Sequence, residues 1–184
     1  MSRVLVPLAQ GCEEIEAVTI IDLLRRAGID VVTASLDVAP VKASRGTVLL
    51  ADTTLEQVLN QDFDMVVLPG GLPGATHLDE DPRIHALIKR QADQARWSAA
   101  ICAAPKVLAN AGLLDGHDAT SYPGALIGAD YPSIKLVEQP VVVDGKVVTS
   151  RGPGTAMDFA LELVELLAGR TTRDEVEAAL VRPA

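Results

Sequence analysis

The sequence predicts a doubly wound α/β fold, in which helices cover both faces of a mostly parallel β-sheet. Short apolar runs of strand type alternate with longer stretches of helical periodicity along the whole chain. Aromatic residues make up only 3% of the 184 residues, which indicates an aliphatic core of the kind found between a sheet and its helices. Because no repeat or linker interrupts the alternation, we expect one flavodoxin-like domain over residues 1–184.

The first half of the chain opens with a short apolar strand at Val4–Leu8. Residues Cys12–Ala27 then have the apolar spacing of a helix, which Gly28 ends. The elements that follow are a strand at Ile29–Ser35, an extended segment at Thr47–Ala51, a short helix opened by a capping box of Thr53 and Glu56, and a buried strand at Asp64–Pro69 that ends in the loop Gly70–Gly74.

The second half continues the alternation and adds one hairpin, Val141–Thr149, with an Asp-Gly turn. A long amphipathic helix follows, with Pro153 in its first turn and Gly169 past its last. The other predicted elements are a surface helix at Pro82–Arg96, a strand at Ser98–Ile101, a helix that follows Cys102 and stops at Gly112, a short strand at Asp118–Ser121, and a final helix capped by Thr172 and Glu175.

The composition limits the partners and the compartment. A net charge of −9, with the basic residues scattered, argues against nucleic acid and anionic membranes as partners. No apolar run approaches the roughly 20 residues that a membrane span needs. Met1 leads directly into a strand, so we expect no signal peptide, and two cysteines favour a reducing, cytoplasmic location.

Cys102 is the most informative residue, because it stands where a short strand turns abruptly into a helix. Such a turn resembles a nucleophile elbow, and free N–H groups at a helix start favour a thiolate. The alternative is an inert cysteine in an apolar core. Cys12, in the first βα turn, is a weaker candidate.

Glu16 and the Gly70–Gly71 pair are expected near Cys102, since ligands bind at the carboxyl ends of the strands in such folds. Glu16 shares a helical stripe with Ile20 and is otherwise surrounded by apolar positions, so a raised pKa and a proton-transfer role are one interpretation. A partly exposed surface acid is the other. Two glycines after a buried strand can present N–H groups to an oxyanion, or simply form a tight loop.

Metal and histidine chemistry have little support in the sequence. No Cys/His cluster has the spacing of metal ligands, so we predict no metal. His77, His85 and His117 all stand in loop or surface-helix contexts and are interpreted as surface residues.

Four segments in order, Gly11–Glu16, Val67–Gly71, Ala99–Pro105 and Thr149–Thr155, resemble the ThiJ/PfpI superfamily. The similarity covers nearly the whole chain and is nearest to the branch of the Parkinson-disease protein deglycase and its bacterial homologues. It implies a flavodoxin-like fold of the class I glutamine amidotransferase kind and a homodimer.

The resemblance also implies roles for the residues that match these motifs. Cys102 is the nucleophilic, oxidation-sensitive cysteine, and Glu16 is the acid hydrogen-bonded to it. The backbone N–H groups of Gly71 and Ala103 face the reacting oxygen, next to Gly70.

Other matched positions surround the expected pocket. Arg45 corresponds to an arginine that approaches the site across the dimer interface, and Gly152 and Pro153 border the pocket. One position departs from the family pattern, because Tyr122 stands where relatives often carry a histidine. A tyrosine, with a pKa near ~10, is a poor base at neutral pH, so Glu16 becomes the main proton carrier.

The leading hypothesis is a cysteine-dependent enzyme that uses no cofactor and acts on reactive dicarbonyls such as methylglyoxal or glyoxal, or on their early protein adducts. The main alternative is a redox sensor or oxidation-dependent chaperone without turnover. An intracellular cysteine peptidase or amidase is a lesser alternative, since it needs a Cys–His pair.

Overall fold

A computed structural model describes residues 1–182 of the protein and contains one seven-stranded sheet in the order β10-β11-β7-β6-β1-β2-β5. All neighbours in this sheet are parallel except β10 and β11, which form an antiparallel hairpin. The strands are β1 Arg3–Leu8, β2 Asp30–Ser35, β3 Val41–Lys42, β4 Val48–Leu49, β5 Thr53–Thr54, β6 Met65–Leu68, β7 Trp97–Ile101, β8 Asp118–Ala119, β9 Lys135–Leu136, β10 Val141–Asp144 and β11 Val147–Ser150.

Seven helices are described in residues 1–182, and none of them is long and apolar enough to cross a bilayer. They are α1 Glu14–Arg26, α2 Leu55–Val58, α3 Gly74–Glu80, α4 Pro82–Asp93, α5 Pro105–Asn110, α6 Ala156–Ala168 and α7 Arg170–Ala179.

The core lies in two layers, one on each face of the sheet, because successive strand side chains point to opposite faces. Val4 and Val6 of β1 pack in a cluster with Ile20 of α1 and Phe159 of α6. Leu5, between them, belongs to the opposite cluster, which includes side chains of α2 to α5. The predicted mostly parallel sheet, with helices on both faces and an added hairpin, is confirmed.

The predicted starts of two helices are wrong, because the side chains that cap a helix are not the ones that the local sequence pattern indicates. Helix α1 begins at Glu14, not Cys12, and the Glu13 carboxylate caps it by accepting from the Glu16 N–H. Thr53 and Glu56 form no capping box, since Thr53 lies in β5 and Thr54 precedes the helix without a side-chain cap.

The hairpin turn is also displaced by one residue. Asp144 still pairs with Val147, so the two turn residues are Gly145 and Lys146, with φ at Gly145 of 58°. A positive φ at the first central position alone is typical of a type II′ turn.

The last two helices begin elsewhere than predicted. Pro153 opens a single 3-10 turn to Thr155 before α6 begins at Ala156. Thr172 lies inside α7, where its hydroxyl donates to the Ala168 carbonyl instead of capping the helix. Four short elements, β3, β5, α3 and β9, were not predicted from the sequence.

Candidate active site

The carboxyl ends of β1, β6 and β7 lie side by side in the sheet and bring three loops together. Glu16 enters from α1, Gly70 follows β6, and Cys102 follows β7. A Cβ placed on Gly70 would lie 2.6 Å from Cys102 Cβ and 2.8 Å from Glu16 Oε2. Glycine at position 70 therefore allows the cysteine and the acid to approach each other across it.

Cys102 occupies a strained turn between β7 and α5. Its φ is 65°, in the left-handed region that side-chain-bearing residues rarely adopt. Two backbone hydrogen bonds hold it there: the Cys102 N–H donates to the Ser150 carbonyl at 3.0 Å, and the Tyr122 N–H donates to the Cys102 carbonyl at 2.8 Å. Cys102 is 8% exposed, so the residue at this strand-to-helix turn lies just below the protein surface.

Buried hydroxyl groups fix the segments that hold this turn. Ser150 is fully buried, and its Oγ lies 2.7 Å from both the Pro140 carbonyl oxygen and Thr155 Oγ1. Thr149 Oγ1 accepts the Thr120 N–H at 2.9 Å, close in sequence to Tyr122. Sequence analysis did not single out these hydroxyls, although they lie in the Thr149–Thr155 segment.

Glu16 is completely buried, and one of its two oxygens is unsatisfied. Oε2 accepts the Gly70 N–H at 2.9 Å. Oε1 has no hydrogen-bond partner among residues 1–182. An unsatisfied carboxylate oxygen in an apolar site is costly, which favours the protonated acid.

Burial raises the pKa of Glu16 to about 7, since the surroundings disfavour its charge. Interactions with the Cys102 side chain and the Gly70 N–H act in the opposite direction, and the charge of Glu13 adds a small further rise. At neutral pH Glu16 can therefore both accept and donate a proton.

The thiol of Cys102 does not have the lowered pKa that the sequence predicts. Burial, followed by the negative charge of Glu16, raises its pKa to about 12. The backbone N–H groups of Gly71 and Ala103 face the sulfur and lower the pKa, but their effect is smaller. Because the two acids repel each other's charge, they behave as a coupled pair that readily carries one negative charge and resists a second.

Of the other predicted pocket residues, Tyr122, Gly152 and Pro153 lie next to one another, whereas Arg45 lies on a separate exposed segment. Tyr122 is 52% exposed, and its ring lies beside Gly152, where an added Cβ would come within 3.3 Å of Tyr122 Cδ2. Pro153 follows at the start of the 3-10 turn. Arg45 is exposed between β3 and β4, and its backbone N–H donates to Glu14 at 2.9 Å. Within residues 1–182, no hydrogen bond or ion pair joins the Arg45 side chain to Cys102.

The remaining titratable candidates have structural partners elsewhere. His77 Nδ1 lies 2.9 Å from the Gln10 carbonyl oxygen, His85 contacts Asp79, and His117 contacts Asp144. Burial and the charges of Glu14 and Glu13 raise the pKa of the Cys12 thiol to about 11. In the part of the chain that the structure describes, no group of three or more His, Cys, Asp or Glu side chains could hold a metal ion.

Known proteins resemble this chain over most of its length. The model of the DJ-1/PfpI family matches residues 2–166. Protein DJ-1 homolog A of Arabidopsis thaliana is 42% identical over 180 residues, which are 97% of this chain and 46% of the relative. The chain thus spans less than half the length of that relative.

Two further proteins are similar to this chain over most of their length. The crystal structure of Drosophila melanogaster DJ-1beta is 44% identical, with a TM-score of 0.94 and 100% of both chains covered. A Caenorhabditis elegans protein named glutathione-independent glyoxalase DJR-1.2 is 37% identical over 162 residues, which are 87% of this chain and 85% of that one.

Proposed function

Because this chain belongs to the DJ-1/PfpI family, we propose that it is a cysteine-dependent stress-response enzyme that uses no cofactor and acts on reactive dicarbonyls or their early protein adducts. Methylglyoxal and glyoxal are the simplest such substrates. The glyoxalase name of the Caenorhabditis elegans relative supports this class of reaction. The observation that carries the proposal is the buried contact of Cys102 with Glu16 across Gly70.

In the first step, the sulfur of Cys102 attacks the aldehyde carbon of the dicarbonyl and a C–S bond forms. The Glu16 carboxylate takes the thiol proton and passes it to the aldehyde oxygen, which gives a hemithioacetal. The N–H groups of Gly71 and Ala103 face this position and stabilise the negative charge that develops on the oxygen.

In the second step, Glu16 removes the proton from the carbon bonded to sulfur and returns it to the neighbouring carbonyl carbon, while the hydroxyl proton on the first carbon moves to the neighbouring carbonyl oxygen. One carbon is oxidised and its neighbour is reduced, so the step needs no external oxidant or reductant. The product is a thioester, which water hydrolyses to a hydroxyacid and the free thiol. A carboxyl with a pKa of about 7 can serve in both directions of this proton transfer.

The direct test is lactate formation from methylglyoxal by the wild type, Cys102→Ala and Cys12→Ala. We expect Cys102→Ala to lose the activity and Cys12→Ala, which changes the other buried cysteine, to keep it. Glu16→Gln should lower kcat by roughly 100-fold or more, as expected for loss of a general base. Equal rates for the wild type and Cys102→Ala would refute the enzyme proposal.

Redox sensing is a second candidate function, favoured by the unpartnered Oε1 of Glu16 beside the sulfur. If peroxide oxidises Cys102 to a sulfinate, a protonated Glu16 can donate to one of its oxygens and stabilise it. Mass spectrometry after mild peroxide treatment should show two oxygens added to Cys102. Modification of Cys12 before Cys102 would remove the basis of this candidate. A peptidase receives no support, because the three histidines contact Gln10, Asp79 and Asp144.

We also propose a homodimer, as the family resemblance implies, and a cytoplasmic location, which the two free cysteines favour. Ile15 and Val18, three residues apart on α1, are about half exposed, and Val48 and Leu50 are also exposed. A partner subunit over these apolar side chains would remove them from water. Light scattering of the purified protein would give a mass near twice 19.3 kDa if the proposal holds.

A further inference from the structure

A pocket adjoins the candidate nucleophile and has no role in the steps above. Its volume is about 230 Å³, compared with the ~30 Å³ that one water molecule occupies in the liquid. Ala103, whose N–H faces the sulfur of Cys102, forms part of its wall. The other lining residues that matter here are Leu72, Thr76, Asp79, Lys106 and Ala125. Ala103 therefore belongs both to the pocket wall and to the surroundings of the sulfur.

Lys106 is the cation in the pocket wall, and no structural partner accounts for it. It is exposed and forms no ion pair or side-chain hydrogen bond within residues 1–182. It also lies in the first turn of α5, where the helix dipole disfavours a positive charge. Its ammonium group is therefore free to contact a ligand.

Asp79, the acid in the same wall, forms no ion pair with Lys106 among residues 1–182. Its Oδ1 lies 3.1 Å from His85 Nε2, and its Oδ2 accepts from Asn110 Nδ2 at 2.6 Å. Both carboxylate oxygens are thus engaged by groups other than Lys106. With a net charge of −9, the rest of the protein repels anions, so a local cation is what an anionic substrate would need beside Cys102.

We infer that this pocket, through Lys106, binds an anionic substituent, and that the preferred substrates are α-oxoaldehydes that carry a carboxylate on the chain beyond the dicarbonyl. This inference rests on the proposed function, because it assigns the substrate class of the same site. Leu72 and Ala125 contribute apolar wall for the chain, and Lys106 pairs with the carboxylate at its end.

The test compares methylglyoxal with 4,5-dioxopentanoate, an α-oxoaldehyde that ends in a carboxylate. We expect Lys106→Met to raise KM for 4,5-dioxopentanoate about fivefold, the upper range for an exposed ion pair, with kcat unchanged. KM for methylglyoxal should not change. Lys106→Arg should retain the wild-type preference, and Lys89→Met, which removes an exposed lysine of α4, should behave as the wild type.

A second measurement does not depend on turnover. The unreactive analogue 4-oxopentanoate should protect Cys102 from iodoacetamide in the wild type and about fivefold less well in Lys106→Met. Equal effects of the substitution on both substrates, or equal protection of both proteins, would overturn the inference. If the wild type turned over neither aldehyde, the proposed function would fail, and the protection experiment would still decide whether Lys106 binds the carboxylate.

Discussion

The backbone N–H of Cys102 donates to the carbonyl oxygen of Ser150 at 3.0 Å, which joins the candidate nucleophile to the last residue of β11. The bond matters because Cys102 has a φ of 65° and would relax to a more common conformation if released. The Ser150 hydroxyl in turn bonds the Pro140 carbonyl and the Thr155 hydroxyl. The position of the sulfur thus depends on a buried hydroxyl that does not touch it.

Replacing this hydroxyl should weaken both the fold and the site. Ser150→Ala removes the hydrogen bonds of this hydroxyl to the Pro140 carbonyl and the Thr155 hydroxyl, while Thr155 Oγ1 keeps its bonds to Gly152, so the free energy of unfolding should fall by about 1–2 kcal/mol. Since the turn at Cys102 is then less well held, the thiol should be less deeply buried, and alkylation of Cys102 should become faster at temperatures where the variant is fully folded. Urea denaturation and mass spectrometry of iodoacetamide-treated protein measure the two effects.

Ser98→Ala is the matched control for this variant. Ser98 is also buried in the sheet, but its Oγ has no hydrogen-bond partner within residues 1–182. Its removal should leave stability unchanged or raise it, because an unpaired buried hydroxyl is unfavourable. An increase in the alkylation rate of Ser98→Ala equal to that of Ser150→Ala would contradict a positioning role.

The raised pKa of Glu16 predicts that stability falls as the pH rises from the unfolded-state value of 4.5 toward 7. In that range the folded protein binds more protons than the unfolded chain, so raising the pH favours unfolding. The stabilisation that comes from the raised pKa of Glu16 is complete below pH 4.5 and is lost above pH 7. For a fully buried group its upper limit is roughly 3 kcal/mol.

Glu16→Gln removes this dependence, because glutamine stays neutral and can still accept the Gly70 N–H. The free energy of unfolding of the wild type, measured relative to Glu16→Gln, should therefore be higher at pH 5 than at pH 8. Urea curves at the two pH values test the sign. A difference that is constant with pH would mean that Glu16 does not titrate in this range.

The same substitution should make Cys102 a stronger acid. The charge of Glu16 is the second largest cause of the raised thiol pKa, after burial, so removing it lowers the pKa of Cys102. The pH profile of Cys102 alkylation should shift to lower pH in Glu16→Gln. Glu14→Gln is the control, since Glu14 is not among the causes of the raised pKa of Cys102. A shift of the alkylation profile to higher pH in Glu16→Gln would refute the coupling of the two acids.

Gly70 should tolerate no side chain. In Gly70→Ala the new Cβ would lie 2.6 Å from Cys102 Cβ and 2.7 Å from the Ile101 carbonyl oxygen, so the site must move apart. Overpacking of this kind costs about 1–3 kcal/mol, and we expect dicarbonyl consumption to fall with it. In Gly154→Ala, nothing lies within 4 Å of the new Cβ, so that variant should keep wild-type stability and activity. Thermal denaturation and methylglyoxal assays compare the two.

Much of the fold could be predicted from the sequence, because local pattern determines it. Apolar runs and helical periodicity are properties of a few neighbouring residues, and they place β1, β6, β7 and the hairpin close to where the structure has them. The abrupt turn at Cys102 and the buried position of Glu16 also follow from local spacing. Helix starts were less predictable, since the cap of α1 comes from Glu13 and α7 begins at Arg170 without a side-chain cap.

The tertiary structure alone decided the chemistry of the sulfur. The local turn predicts a thiolate, but the pKa of Cys102 depends on how deeply the folded chain buries it and on the charge of Glu16, 86 positions away in the sequence. The proposed roles of the Ser150 hydroxyl and the Lys106 ammonium group likewise depend on neighbours in the folded chain, which are the Thr155 hydroxyl for Ser150 and the pocket beside Ala103 for Lys106. Desolvation and Coulomb interactions act through space, so the sequence by itself predicted Cys102 and Glu16 as a candidate pair, and only the folded arrangement determined how its protons are held.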